Sequence, residues 1–444
     1  MISRAMSRRH LLGLGVGAGA AAALAACGSS GPSGQSGAGG DGVADYWSLS
    51  GPPGEPARRA ALERFNAANP DTKISSIFLK NDAFKQKIKT SIGAGEAPVL
   101  IWGWGGGTLK SYVEAGQVDD LTDWFTQNAA VKDKLFPTSF GAATVNGRVY
   151  AMPHETVQPI LLYWNKKVFD DVGVQPPQSW GDILDLVPKF NARNIAPFAL
   201  GGQSRWTNMM WLELLLDRTA GSEVFDRVFA GEPNAWSDPA VLDMLTKVQQ
   251  LIDAKGFVNG FSSITADSNA DQALLYTGKA AMMVHGSWSY GIQEEQGGDF
   301  VKNDGLGYMN FPPVDGGKGD PSNQVGNPGH YLSINAKATA EQKEVAKKFF
   351  STTLIDAEEP KAWIDSGNVP IIKGSDSMYE ANPKGEFLKF VYDTSVNAKV
   401  FAQSWDQALS PTAAETLLDN IAKLFQKQVS PQQWVDNMNA VIGK

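Results

Sequence analysis

Tryptophan beside glycine, placed just after a short apolar run, is the pattern in this chain that could do the most chemistry. Trp102-Gly103-Trp104-Gly105-Gly106-Gly107 closes the run that begins at Pro98, and Gly286-Ser287-Trp288 follows the run Ala280–Val284. Trp47 stands the same way at the first apolar run, and Trp405-Asp406 pairs a ring with a hydroxyl acceptor. Glycine lets backbone approach a ligand closely, and an indole offers a flat apolar face. A sugar ring, with CH-lined faces and a hydroxyl rim, matches that surface. The competing reading for each ring is burial, since an isolated tryptophan more often fills a core. His154, Glu155 and Gln158, and then Asn327 to His330, occupy two short segments between apolar runs, where a crossover between lobes would run.

Catalytic signatures are missing. The chain has no G-x-S-x-G elbow, no H-E-x-x-H and no Walker A loop, since Gly278-Lys279 is followed by Ala280, which cannot ligate magnesium. Asp267, Asn269 and Asp271 imitate half a calcium loop, but Gln272 and Gly278 replace its glycine and its bidentate glutamate. Four histidines without tight ligand spacing argue against a metal, and no cofactor is expected. A glycosidase needs only two carboxylates, which 47 acidic residues leave open. A net charge of −8 argues against nucleic acid, whose phosphates need a concentrated basic face.

The 444 residues offer roughly two to three domains' worth of chain. Arg4, Arg8 and Arg9 precede the uncharged stretch Leu11–Ala26, a secretory leader too short for a comfortable span. Ser7-Arg8-Arg9-His10-Leu11-Leu12 resembles the twin-arginine (Tat) export motif, with Sec export as the alternative. Gly13-Leu14-Gly15-Val16-Gly17-Ala18 mimics a dinucleotide fingerprint, but no strand precedes it. Leu24-Ala25-Ala26-Cys27 resembles a lipobox, and Cys27 is the sole cysteine, so acylation there would anchor the chain to a membrane. Gly28–Gly42 is a Gly/Ser-rich tether reaching on the order of 20 Å. Without the leader, 36 basic and 47 acidic side chains leave a net charge of −11.

Strand and helix patterns alternate through the body. Strands are expected at Ala44–Leu49, Lys73–Leu79, Pro98–Trp102, Pro159–Trp164, Ala196–Leu200, Ala280–Val284 and Tyr331–Asn335. Helices are expected before Asn69-Pro70, from Asn81 or Asp82, near Leu109–Ala115, from Ser179 to Asn191, and over Met209–Leu216, with a helical tail over Ala413–Ile442. Such alternation predicts α/β lobes with parallel, doubly wound sheets.

In this order the short motifs resemble the family 1 extracellular solute-binding proteins of ABC sugar importers, related to maltose-binding protein. The resemblance rests on Gly95-Glu96-Ala97-Pro98, Gly116-Gln117-Val118 and Gly147-Arg148-Val149-Tyr150-Ala151-Met152-Pro153. It continues through Leu162-Tyr163-Trp164-Asn165-Lys166, Pro176 with Gln178-Ser179-Trp180, Gly278-Lys279-Ala280-Ala281-Met282, Gly286-Ser287-Trp288 and Phe311-Pro312. It implies an α/β, two-lobed periplasmic-binding-protein-like fold of type II, hinged between the lobes, with a helical C-terminal part. Residues 1–26 would be signal peptide and 27–42 a lipid-anchored linker. Residues 43–157 with 331–372 would form the N-lobe, and 158–330 with 373–444 the C-lobe.

The expected ligand-binding set is Trp47, Asn81, Trp102, Trp104, Glu155, Gln158, Trp206, Trp288, Asn327, His330, Trp405 and Asp406. The implied protein is a monomeric, non-enzymatic lipoprotein on the outer face of a Gram-positive, actinobacterial-type membrane. It would pass a small oligosaccharide, best a xylobiose-like β-linked disaccharide, to an ABC permease. A membrane-tethered glycoside hydrolase is the alternative. Cys27→Ala is expected to release the folded protein into the medium, read by fractionating cells; retention on membranes through carbonate washing would refute the lipobox.

Overall fold

β-Branched and aromatic runs that alternate with amphipathic helices here build two separate sheets. The computed structural model describes residues 42–444, so the leader, Cys27 and the tether up to Asp41 lie outside the described residues. In chain order the strands are β1 (Ala44–Leu49), β2 (Ile74–Leu79), β3 (Leu100–Gly103), β4 (Thr144–Val145), β5 (Arg148–Val149), β6 (Met152–His154) and β7 (Thr156–Asn165). They continue with β8 (Ala196–Ala199), β9 (Ala280–Gly286), β10 (Leu306–Met309), β11 (Gln324–Asn327), β12 (His330–Ile334), β13 (Val369–Pro370) and β14 (Phe401–Gln403).

The first sheet runs β2-β1-β3-β12-β6 and the second β14-β11-β7-β9-β8. Every strand expected from the sequence lies within one of them, with ends shifted by up to three residues. The expectation of wholly parallel sheets needs correction. β1 is parallel to β2 and β3, but β12 runs antiparallel to β3 and β6 antiparallel to β12. In the second sheet β7 opposes both β9 and β11. The cause is the repeated passage between sheets: β6 leads through Glu155 into β7, and β11 leads back through Pro328 and Gly329 into β12. A chain that leaves and returns must reverse direction.

Two segments frame the second sheet. Helix Trp206–Ala220 starts earlier than its apolar run implies and is buried from Thr207 through Arg218, as expected of a helix that is apolar nearly all round. The helical tail divides into Pro411–Phe425 and Pro431–Asn439, capped by the hydroxyls of Ser410 and Ser430. Leu417, Ile421, Leu424 and Trp434 from this pair are wholly buried, and both helices pack with Pro239–Asp253. Among the described residues no helix is long and apolar enough to cross a membrane.

Buried titratable groups oppose one another across the molecule. Burial lowers His154 and His285 to about 3 and His330 to about 4. Burial also raises Glu213 to about 8, and Asp271 and Glu359 to about 7. For the imidazoles, the unfolded chain binds protons below its own pKa of about 6.5 while the folded chain does not, so stability falls with falling pH. For the carboxyls, the unfolded chain releases protons above about 4 while the folded chain keeps them, so stability falls with rising pH until about 7–8. Between about pH 4.5 and 6.5 the two sets oppose one another; above that the raised carboxyls act without the imidazoles. The melting temperature is therefore expected to hold level from pH 5 to 6.5 and to drop toward pH 8. Glu213→Gln, which keeps the acceptor for the Trp405 amide, should make that drop shallower; an unaltered alkaline limb would refute the assignment.

Candidate functional site

The carboxyl ends of β1, β3 and β9 and the crossovers between the sheets converge on one cleft. From the first-sheet side come Ser50–Gly54 after β1, Arg58, Lys80, Asn81, Lys85 and Trp104. From the other side come Gln158 and Ile160 on β7, Trp206, Asp267, Gln272, His285, Trp288, Asn327 and Asp406. His330 and Trp363 close it, around a cavity of about 170 Å³. Open α/β sheets place ligands at just such strand ends.

Local chemistry explains each wall. Gly286 is obligatory beneath the ring of Trp288: a Cβ there would lie 1.8 Å from the indole. Trp288, Trp206 and His285 then cluster, with centroids 5.2–6.1 Å apart. On the facing wall Trp104 carries the Lys85 ammonium 4.9 Å from its ring, while Lys85 reaches across to Asp406 at 3.0 Å. Several buried polar atoms around the cleft have no protein partner: Trp206 Nε1, both His285 nitrogens, Asn327 Oδ1, Asp406 Oδ1 and Gln407 Oε1. Rings and orphaned donors and acceptors on one surface suit a ligand with apolar faces and many hydroxyls.

The crossovers meet at Glu155. Its carboxylate accepts from Arg58 Nε and Nη2, both at 2.7 Å, and from Trp102 Nε1 at 2.8 Å, with His330 Nδ1 at 3.3 Å. Burial pushes this carboxyl up, but the Arg58 guanidinium beside it outweighs burial and holds it far below the carboxylate range. The Glu155 carbonyl accepts from the Ile371 amide at 2.9 Å, His154 pairs with His330 in register, and Asn327 Nδ2 donates to Gln158 Oε1 at 3.0 Å. All three crossing segments are therefore tied at one point.

Of the twelve residues expected to meet ligand, the structure brings Asn81, Trp104, Gln158, Trp206, Trp288, Asn327, His330 and Asp406 to the cleft wall. Four do not line it. Trp47 is buried on β1 with Lys87 against its ring at 4.6 Å. Trp102 is buried, with His330 stacked on it at 5.0 Å and the Arg58 guanidinium 5.2 Å from its ring, and it borders a separate cavity instead. Glu155 is consumed by the hinge contacts. Trp405 is core: Phe225 stacks on it at 5.0 Å, Trp236 meets it edge-on, and its amide binds Glu213. Asp406, one residue on, turns into the cleft.

Arg58, Lys85, Gln272 and His285 were missed by sequence reasoning. His285 had a visible signal, as the one polar residue inside the apolar strand β9. Lys85 had none, being one lysine among several on its helix. Asp267 and Asn269 were weighed only as a calcium loop, yet both border the cleft. Among the described residues no group of three or more His, Cys, Asp or Glu side chains is arranged to hold a metal ion.

Trp405→Ala is expected to lower the unfolding free energy of the ligand-free protein by about 3–5 kcal/mol, as for other buried aromatic truncations. Denaturant titration measures this. A loss below about 1 kcal/mol would return that ring to the cleft.

Comparison with known proteins places this architecture. The profile of the bacterial extracellular solute-binding proteins matches residues 47–354. An ABC transporter extracellular-binding protein of Pyrococcus horikoshii is 23% identical over 261 residues, 57% of this chain and 57% of that protein, so the match spans little more than half of that relative. A structure solved in work on xylan utilisation by the thermophile Caldanaerobius polysaccharolyticus is 30% identical, with a TM-score of 0.80, covering 90% of this chain and 100% of that one. A chitin oligosaccharide binding protein is 26% identical with a TM-score of 0.79, covering 90% and 98%. With its two sheets, its tied crossovers and these matches, the chain belongs to the bacterial extracellular solute-binding proteins.

Proposed function

We propose that this protein is the capture subunit of an ABC importer and that it takes a neutral oligosaccharide into the cleft. The observation that carries this reading is the wall itself: Trp104 faces Trp206 and Trp288 across a cavity bordered by polar atoms without protein partners. Ring stacking orients a sugar, and the orphaned groups read its hydroxyls. Two of the three cations on the cleft wall are already paired, Arg58 with Glu155 and Lys85 with Asp406, which favours a neutral ligand over an anionic one. The structures matched above, one from xylan utilisation and one binding chitin oligosaccharide, support a β-linked glycan.

In this reading residues 43–157 with 331–372 close against 158–330 with 373–444, and a permease recognises the closed form. The protein captures and releases its ligand without transforming it. Acylated Cys27 holds it at the outer face of the membrane through the 27–42 tether, after export by the Tat route.

Calorimetric titration with xylo-, cello-, chito- and malto-oligosaccharides, and with glycerol phosphate as the anionic competitor, tests the reading. Binding is expected from one β-linked series and not from glycerol phosphate. Trp288→Ala should weaken that binding by about 1–3 kcal/mol, as for a buried aromatic anchor. Heat from the phosphate alone, or glycan turnover by substoichiometric protein, would overturn it.

A further inference from the structure

Beside the Lys85–Asp406 pair lies a second chamber of about 530 Å³, three times the first. Lys85, Trp104, Trp206, Asp406 and Gln407 border both spaces, so the two are neighbours across one partition. Its far walls come from both lobes. Thr108, Leu109 and Tyr112 of helix Gly106–Glu114 stand on one side, and Gln203, Glu415 and Leu418 on the other. Apolar rings and alkyl groups thus alternate with amide, hydroxyl and carboxylate groups, as they do in the first cavity.

The partition holds polar atoms that no protein group satisfies. Trp206 Nε1, Asp406 Oδ1 and Gln407 Oε1 are buried there without partners, although Asp406 Oδ2 binds Lys85. Buried orphans of this kind need a ligand hydroxyl or amide to offset their desolvation. The cationic rim residue Arg205 is already engaged by Glu415 at 2.9 Å and by Asp419 at 2.5 Å, so the chamber favours uncharged groups. The first cavity alone is smaller than the roughly 300–1,000 Å³ usual for small-molecule sites, whereas the second falls inside that range.

We infer that the second chamber seats the distal rings of a longer glycan, whose first rings stack in the cleft between Trp104 and Trp288, so that the ligand class is oligosaccharides of three or more rings rather than disaccharides. This rests on the sugar reading above. The chain runs beside Lys85 and Asp406, and its hydroxyls bond the orphaned partition atoms. Trp104 borders both spaces.

The test titrates wild type and Thr108→Trp, a plug grown from the chamber wall, with two-ring and four-ring members of the xylo- and chito-oligosaccharide series. Tyr112→Ala, which removes an aromatic wall of the same chamber, is the second variant should the plug fail to fold. Wild type is expected to bind four rings at least about tenfold more tightly than two. Either variant should lose most of that gain while holding the two-ring affinity within about threefold. Equal affinity for two and four rings in wild type, or a gain that survives both variants, would overturn the chamber assignment and leave the sugar reading standing. Failure of wild type to bind any xylo-, cello- or chito-oligosaccharide would overturn both.

Discussion

The architecture depends on the bidentate contact between Arg58 and Glu155. Glu155 links β6 to β7 with φ of +62°, a left-handed conformation that a glutamate adopts only at a cost of roughly 1–3 kcal/mol. That conformation turns the chain from one sheet toward the other, and the carboxylate is then buried completely. A buried carboxylate without partners would be far more costly than the twist, so Arg58, Trp102 and His330 are recruited to it. The contact joins the first helix of the body to the crossover. It also fixes Trp102 as a structural ring, leaving Trp104 to face the cleft.

From that anchor the cleft follows as a consequence of strand ends. The β3 loop carries Trp104 over the first sheet, and the β9 end carries His285 and Trp288 over the second. The Trp288 ring could not be placed there with an ordinary side chain beneath it. Gly286 gives Trp288 its seat, and at Gly107 a Cβ would lie 2.1 Å from the Leu409 carbonyl oxygen. The second requirement comes from the opposite lobe, so the glycines after Trp104 serve the meeting of lobes rather than a ligand. Trp405 follows the same logic inverted, because it fills the second lobe's core so that its neighbour Asp406 can point into the cleft.

Local information made much of this legible. Strand runs, the Ser179 cap and the helical tail are written in spacing and in turn residues within a few positions, and the structure has them close to where that spacing puts them. The crossovers were visible as polar residues wedged between apolar runs. What escaped was set by distant pairing. Arg58 meets Glu155 across 97 positions, Lys85 meets Asp406 across 321, and Trp405 is covered by Phe225 and Trp236. A tryptophan followed by aspartate has the same local signature whether its ring faces solvent or another ring. Strand direction escaped for a related reason: periodicity reports which face is buried, and the sense of a strand is decided by where the chain has just crossed.

Three polar contacts bridge the cleft, beside the packing of helix Gly106–Glu114 on Leu409, and this has a consequence for closure. Lys85 to Asp406, Gln403 Nε2 to the Trp104 carbonyl at 2.7 Å, and the Asp82 amide to Asp267 at 3.1 Å bridge the cleft. A partly exposed ion pair contributes about 0–1 kcal/mol and a neutral hydrogen bond about 0.5–1.5. Against them stand the buried orphans of the closed cleft, each costing about 1–3 kcal/mol. Six such orphans outweigh three bridging contacts, so burying them without a ligand opposes closure. Reversing a hundredfold preference requires about 5.5 kcal/mol of differential affinity. A ligand that satisfies several orphans supplies energy of that order in the closed form alone, since the open form exposes the same atoms to water. On the proposed sugar reading, recognition and closure are one interaction: the hydroxyl pattern that fits the orphans is also what shuts the lobes.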